Sequence, residues 1–174
     1  MKVTALKTKI IELPLPRPVK TAIHDMTSVG CVLVTVRAGD VFGEGICFTL
    51  NADRIRSFDE MVRGFESFVV GRDIHEIEGI WHDIWAAINP TGHKGVTIGA
   101  LSAIDIALWD AVGKAADLPL HKLFGNCRYD VDTYASSGLW LSATEDELVD
   151  EAVAYVDQGF TAVKLRLGLS LIHI

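Results

Sequence analysis

Ser102-Ala103-Ile104-Asp105-Ile106-Ala107-Leu108-Trp109-Asp110, followed by Gly113-Lys114, Leu118-Pro119-Leu120, Leu123 and Gly125, is the stretch on which the reading of the chain turns. Ala100, Leu101, Ile104, Ala107, Leu108 and Ala111 cover most of a helical circumference, as on a central buried helix. The spacing predicts a helix over 96–116, and Asp117-Leu118-Pro119 ends it.

Toward the N-terminus, Ile55, Phe58, Met61, Val62, Phe65 and Val69 share one helical face. A second helix over 74–88 presents Ile77, Ile80, Trp81, Ile84 and Trp85, and Asn89-Pro90-Thr91-Gly92 breaks it. Residues 3–13 alternate loosely and are rich in β-branched types, which reads as a strand. Pro14, Pro16 and Pro18 then predict a loop over 14–26. Two further strands, 28–37 and 41–48, are joined by the short turn Ala38-Gly39-Asp40. The expectation is a three-stranded antiparallel meander under a helical bundle, an α+β unit complete at Gly125.

Beyond Gly125 the pattern changes. Residues 131–136 and 161–167 read as strands. Between them Thr144-Glu145-Asp146-Glu147 fits a capping box, with Leu148, Ala152, Val153 and Val156 on the inward face and Gly159 as the C′ glycine. A strand–helix–strand unit implies parallel pairing and cannot bury both its faces alone, so 126–168 is expected to be the start of a parallel sheet that the chain does not finish. The final Leu169-Ser170-Leu171-Ile172-His173-Ile174 lacks caps and a polar face, and is expected to be a non-native tail.

The 174 residues carry a net charge of −7 with no basic block, which argues against nucleic acid as a partner. Apolar runs are interrupted by Ser102, Asp105 and Asp110, so no membrane span is expected, and the start lacks a signal-peptide layout. The expected location is the cytoplasm. Cys31, Cys47 and Cys127 have no CxxC spacing and receive no role.

The 102–125 pattern resembles the signature helix and interdomain turn of the mandelate racemase and muconate-lactonizing branch of the enolase superfamily. The meander, the proline-rich segment after the first strand and Gly43-Glu44-Gly45 in the third strand are similar to that family too. The resemblance implies an α+β capping domain over 1–125, then a modified (β/α) TIM-like barrel that here stops after its second strand. It further implies abstraction of the proton α to a carboxylate, with Mg²⁺ stabilising the enediolate. The Mg²⁺ ligands belong to later barrel strands, so no residue here is an expected metal ligand. Homo-oligomers are usual in the family.

Lys164-Leu165-Arg166 ends the second barrel strand, and residues at i and i+2 point the same way, toward the barrel mouth. The resemblance makes this a Lys-x-Lys position, but Arg166 replaces the second lysine. Arginine stays protonated and is a poor base, though a good carboxylate binder. Either Lys164 takes on more of the proton transfer, or a base on later strands acts beside Arg166. Arg17, Lys20, Thr21 and His24 in the first loop, and Asn51 with Leu50 and Ala52 in the second, are the expected substrate contacts. The expected substrate is a small carboxylate or sugar acid, with dehydration first and racemisation, epimerisation or muconate cycloisomerisation as alternatives. A capping-type binding or assembly domain is the reading from a different class. Asp105 and Asp110 are expected to serve helix packing or interdomain hydrogen bonds, and Trp81 and Trp85 to be core.

Overall fold

In the computed structural model, residues 1–21 and 24–166 are described, and the chain divides into two compact units. Met1–Leu13 and Val29–Asn126 form the first; Pro14–Ser28 joins the residues from Cys127 onward in the second. The expected tail, 169–174, lies outside the described residues.

Three strands, β1 (Ala5–Lys20), β2 (Asp25–Ala38) and β3 (Val41–Leu50), form one sheet in the order β1-β2-β3. The β2–β3 register runs from Val29 opposite Leu50 to Ala38 opposite Val41. Gly39 has φ 58° at the first central position of the two-residue turn, the left-handed geometry a tight hairpin needs there.

The expected loop over 14–26 is overturned in part: β1 runs through all three prolines to Lys20, and β2 already begins at Asp25. The physical reason is position. β1 is an edge strand and pairs on one side only, and residues spaced by two turn their backbone nitrogens the same way. Pro14, Pro16 and Pro18 can therefore all place their missing N–H on the unpaired side.

The predicted 55–69 helix is divided. A 3-10 turn (Ala52–Arg54) leads into α1 (Ile55–Gly64), and α2 (Glu66–Val69) follows after Phe65. Next come α3 (Ile77–Ala87), α4 (Val96–Ala115) and α5 (Leu120–Leu123). Ile77, Ile80 and Ile84 are buried, but Trp81 and Trp85, expected in the core, are only half-buried. Their rings stack at 4.9 Å, and His93 stacks on Trp85 at 3.9 Å.

All six apolar positions read from the α4 spacing are buried. The helix is long and apolar enough, by length and composition, to cross a membrane, which the interrupting polar residues had argued against. In the first unit it packs along β3 instead. Backbone meets backbone there: a Cβ on Gly45 would stand 1.9 Å from the Ala103 carbonyl oxygen, and one on Gly43 1.9 Å from that of Ala107. Asp110 ties the two elements together. Its carboxylate accepts the Glu44 N–H at 2.8 Å and the Lys114 ammonium at 2.7 Å. Asp105 forms no such bond among the described residues; burial, then the nearby Glu78 charge, raises its pKa.

In the second unit α6 (Glu145–Asp157) carries the expected capping box. The strands expected at 131–136 and 161–167 are reduced, among the described residues, to one parallel bridge between Ala135 and Val163. Ala135 N–H donates to Ala162 O at 3.0 Å and Lys164 N–H to Ala135 O at 2.8 Å. Parallel ladders persist when both faces are covered, whereas here Val131, Tyr134, Val163 and Leu165 remain exposed.

Candidate active site

The second unit gathers most of the cationic candidates. Alternation around the Ala135–Val163 bridge separates the side chains of 163–166. Val163 and Leu165 line an apolar recess with Leu139, Leu148 and Ala152. Lys164 and Arg166 occupy the alternate positions. The Lys164 ammonium is exposed, and no hydrogen bond or ion pair engages it among the described residues.

Arg166 is held. It donates from Nη1 to the Gly138 carbonyl at 2.7 Å and from Nη2 to the Ser136 carbonyl at 2.9 Å. Its guanidinium carbon lies 3.5 Å from the centroid of the Trp140 ring, a cation–π contact. Among the described residues the Lys164–Arg166 pair is thus asymmetric, with one cation unengaged and one fixed.

The turn that carries Trp140 is made by α6. Gly138 and Leu139 both have positive φ, 80° and 51°, and the second is uncommon for a branched, buried side chain. Glu151 accepts the Leu139 N–H at 2.6 Å, and the Tyr155 hydroxyl donates to the Ser137 carbonyl. The φ of 80° at Gly138 favours glycine there, and a Cβ would also displace the Glu151 carboxylate and the Tyr155 hydroxyl, at 2.9 and 2.8 Å.

The tip of the β1–β2 hairpin contributes the remainder. Leu15, Pro16, Arg17, Pro18 and Val19 line a cleft of about 250 Å³ with Trp140, Ser142, Ala143 and Glu151. Arg17 Nη1 stands 3.6 Å from Glu147, and Lys20 Nζ 4.0 Å from Asp25. Thr21 N–H donates to the His24 carbonyl at 2.9 Å, and His24 N–H donates to Thr21 Oγ1 at 2.9 Å, closing the turn. Arg17, Lys20, Thr21 and His24 therefore share a unit with Lys164 and Arg166. Asn51 belongs to the first unit, where it precedes the 3-10 turn with φ 61°, and its carbonyl accepts the Thr49 hydroxyl at 2.8 Å.

Trp140, Glu151 and Tyr155 escaped the sequence reading. The available signal was Gly138 directly before Leu-Trp in a segment too short for another helix. Among the described residues no three His, Cys, Asp or Glu side chains come together as a metal site. Cys47 is buried and its thiol is pushed up to about 11, first by that burial and then by Cys31 nearby.

A three-stranded antiparallel meander with helices, its glycine-bearing third strand against a central helix, and a strand–helix–strand segment joined by one parallel bridge define an α+β capping domain followed by the first elements of a second unit. The family model "Mandelate racemase / muconate lactonizing enzyme, N-terminal domain" matches residues 5–125, and the chain belongs to that family, within the enolase superfamily. It is 31% identical to 3,6-anhydro-alpha-L-galactonate cycloisomerase of Streptomyces coelicolor, over 94% of this chain and 45% of that protein. It is 30% identical to L-talarate/galactarate dehydratase of Salmonella typhimurium, over 94% of this chain and 42% of that protein. The crystal structure of the Salmonella dehydratase liganded with Mg and L-lyxarohydroxamate superposes with a TM-score of 0.90 at 27% identity, over 99% of this chain and 46% of that one. The chain thus spans less than half the length of the relatives it matches. Those relatives are enzymes, acid-sugar dehydratases and cycloisomerases among them.

Proposed function

We propose that this chain is the N-terminal part of a Mg²⁺-dependent, cytoplasmic, homo-oligomeric enzyme that removes the proton α to the carboxylate of an acid sugar and then expels the β-hydroxyl. The observation that carries this reading is the asymmetry of the cationic pair: Arg166 is fixed by two carbonyls, and Lys164 is the cation left free to exchange a proton with a substrate. Lys164 Nζ, as the free amine, takes the α-proton. The C–H electron pair moves into the carboxylate as an enediolate; its collapse breaks the C–O bond, and the β-hydroxyl leaves as water by taking up the proton that Lys164 gained. Arg17, Lys20, Thr21, His24 and Asn51 contact the hydroxylated body of the substrate.

Mg²⁺ enters this proposal from the carbon-acid chemistry and from the metal named in the Salmonella structure. Its ligands are assigned to residues of the complete protein outside this chain, and the chain alone is proposed to be inactive. A second reading, cycloisomerisation, is favoured by the 31% identity to the Streptomyces enzyme and shares the first proton transfer.

The test is the product of the complete gene, assayed with Mg²⁺ on galactarate and L-talarate for a 2-keto-3-deoxy acid. Lys164→Ala is expected to lower kcat by about 10²- to 10⁴-fold, the size of a lost general base. Full turnover in that variant would place the base elsewhere. Conversion of 3,6-anhydro-galactonate without dehydration of galactarate would favour the cycloisomerase.

A further inference from the structure

The surroundings of Arg166 are built for a guanidinium. We propose that Trp140 is a positioning residue that holds Arg166 as a planar carboxylate anchor, so that this site requires arginine where lysine would fail. The proposal deepens the acid-sugar reading above and rests on it for the identity of the anion.

Three observations carry it. First, the two acceptors are backbone carbonyls, of Ser136 and Gly138, spaced to meet two different guanidinium nitrogens. An ammonium is a compact point charge and cannot span both while stacking on a ring. Second, the Trp140 ring covers one guanidinium face at 3.5 Å, which fixes the plane. Third, the turn presenting both carbonyls and the ring is held in an unfavourable conformation. Gly138 and the buried Leu139 are left-handed, and α6 maintains them through Glu151 on the Leu139 N–H and Tyr155 on the Ser137 carbonyl. Left-handed backbone at a buried leucine persists only where the surroundings over-determine it, and such strain collects at functional sites.

A guanidinium has five N–H donors. The two carbonyls occupy two, and no acidic side chain pairs with Arg166 among the described residues. Among the described residues, three donors and the positive charge remain for an anion. In this arrangement Arg166 binds and orients the carboxylate, and Lys164, two residues earlier, is left the proton. Trp140 touches neither reacting atom; it acts through Arg166.

The experiment maps phenylglyoxal modification of arginines by peptide mass spectrometry, with and without galactarate. The variants are Trp140→Leu, Trp140→Phe and Arg166→Lys. In the wild type Arg166 is expected to react about tenfold more slowly than the exposed Arg17, as loss of roughly one charge-assisted hydrogen bond's worth of access implies. Galactarate is expected to slow Arg166 further. Trp140→Leu removes both protections, and Trp140→Phe, which keeps an aromatic face, restores them. A wild-type Arg166 that reacts as fast as Arg17, or a Trp140→Leu variant indistinguishable from wild type, overturns the positioning role. Protection by the cradle without any effect of galactarate overturns the anchor.

Kinetics on the complete gene product provide the second arm. Arg166→Lys and Trp140→Leu are each expected to raise KM for galactarate about tenfold. The double variant is expected to be no worse than Arg166→Lys alone, since Trp140 acts through Arg166. Additive effects overturn the proposal. A wild-type enzyme that protects Arg166 with galactarate yet never dehydrates it refutes the dehydratase reading alone.

Discussion

α4 and α6 are both helices laid beside extended chain, and they are held by opposite means. α4 has no side-chain N-cap, begins after a glycine, and buries ten of its twenty residues. α6 has a complete capping box and three acidic residues in its first turn, and buries none of its thirteen. Val149, Val153 and Val156 lie along one exposed stripe at i, i+4 and i+7. One helix is specified by what it packs against, the other by signals within its own first turn. Packing can override a weak local signal, as at Gly95 before α4, whereas α6 depends on strong ones.

The comparison breaks most sharply at Gly45. Its Cβ position coincides with a helix backbone carbonyl rather than a movable side chain, so valine there forces α4 off the sheet. Gly45→Val is expected to cost more than about 3 kcal/mol, a large share of a domain's total stability, and to show as a collapsed urea midpoint. A midpoint unchanged from wild type would mean that the close approach of Gly45 and Ala103 does not exist in solution.

Matched truncations on the two helices sharpen the contrast. Ile104→Ala in α4 removes a fully buried side chain from a packed core and is expected to cost about 2–5 kcal/mol. Val153→Ala in α6 removes a side chain that is 54% exposed. Its effect is expected to stay within about 0.5 kcal/mol, and to be favourable, because alanine is the better helix former. Equal losses in denaturant unfolding would show that the α6 stripe is covered.

What was legible in the sequence follows the same division. The α4 face read correctly because ten buried positions impose a 3.6 period that few other arrangements satisfy. The α6 capping box was legible because its four residues are contiguous. Pro14, Pro16 and Pro18 were misread because a proline argues against a strand only where its nitrogen must face a neighbour, and edge position is not written locally. The 131–136 and 161–167 strands have the composition of a ladder, but a ladder also needs neighbours on both faces. At the site, Lys164-x-Arg166 could be read as a pair, yet its asymmetry depends on carbonyls 28 and 30 residues away. Trp140 was missed for the same reason: its role comes from a left-handed turn at Leu139, which no residue-type rule anticipates.

The smallest expected effect tests the local device in α6. The Glu147 carboxylate is held below its ordinary value of 4.5, first by the Thr144 N–H that it accepts at 2.9 Å. Solvent exclusion opposes this, while the Thr144 hydroxyl and then the Arg17 charge reinforce it. A carboxyl whose folded value is depressed stabilises above its unfolded value and loses that contribution as pH falls through the folded one. Amide protection at Leu148 and Val149 is therefore expected to be full near neutrality and to decline below about pH 4.5. In Thr144→Ala the protection is expected to drop about fivefold at neutral pH. Glu147→Gln is expected to flatten the acid limb, since the amide oxygen still accepts the Thr144 N–H but does not titrate. If Glu147→Gln keeps the same acid limb, the sensitivity belongs to Glu145 and Asp146 acting on the helix dipole, and the first turn of α6 is held by charge rather than by the reciprocal cap.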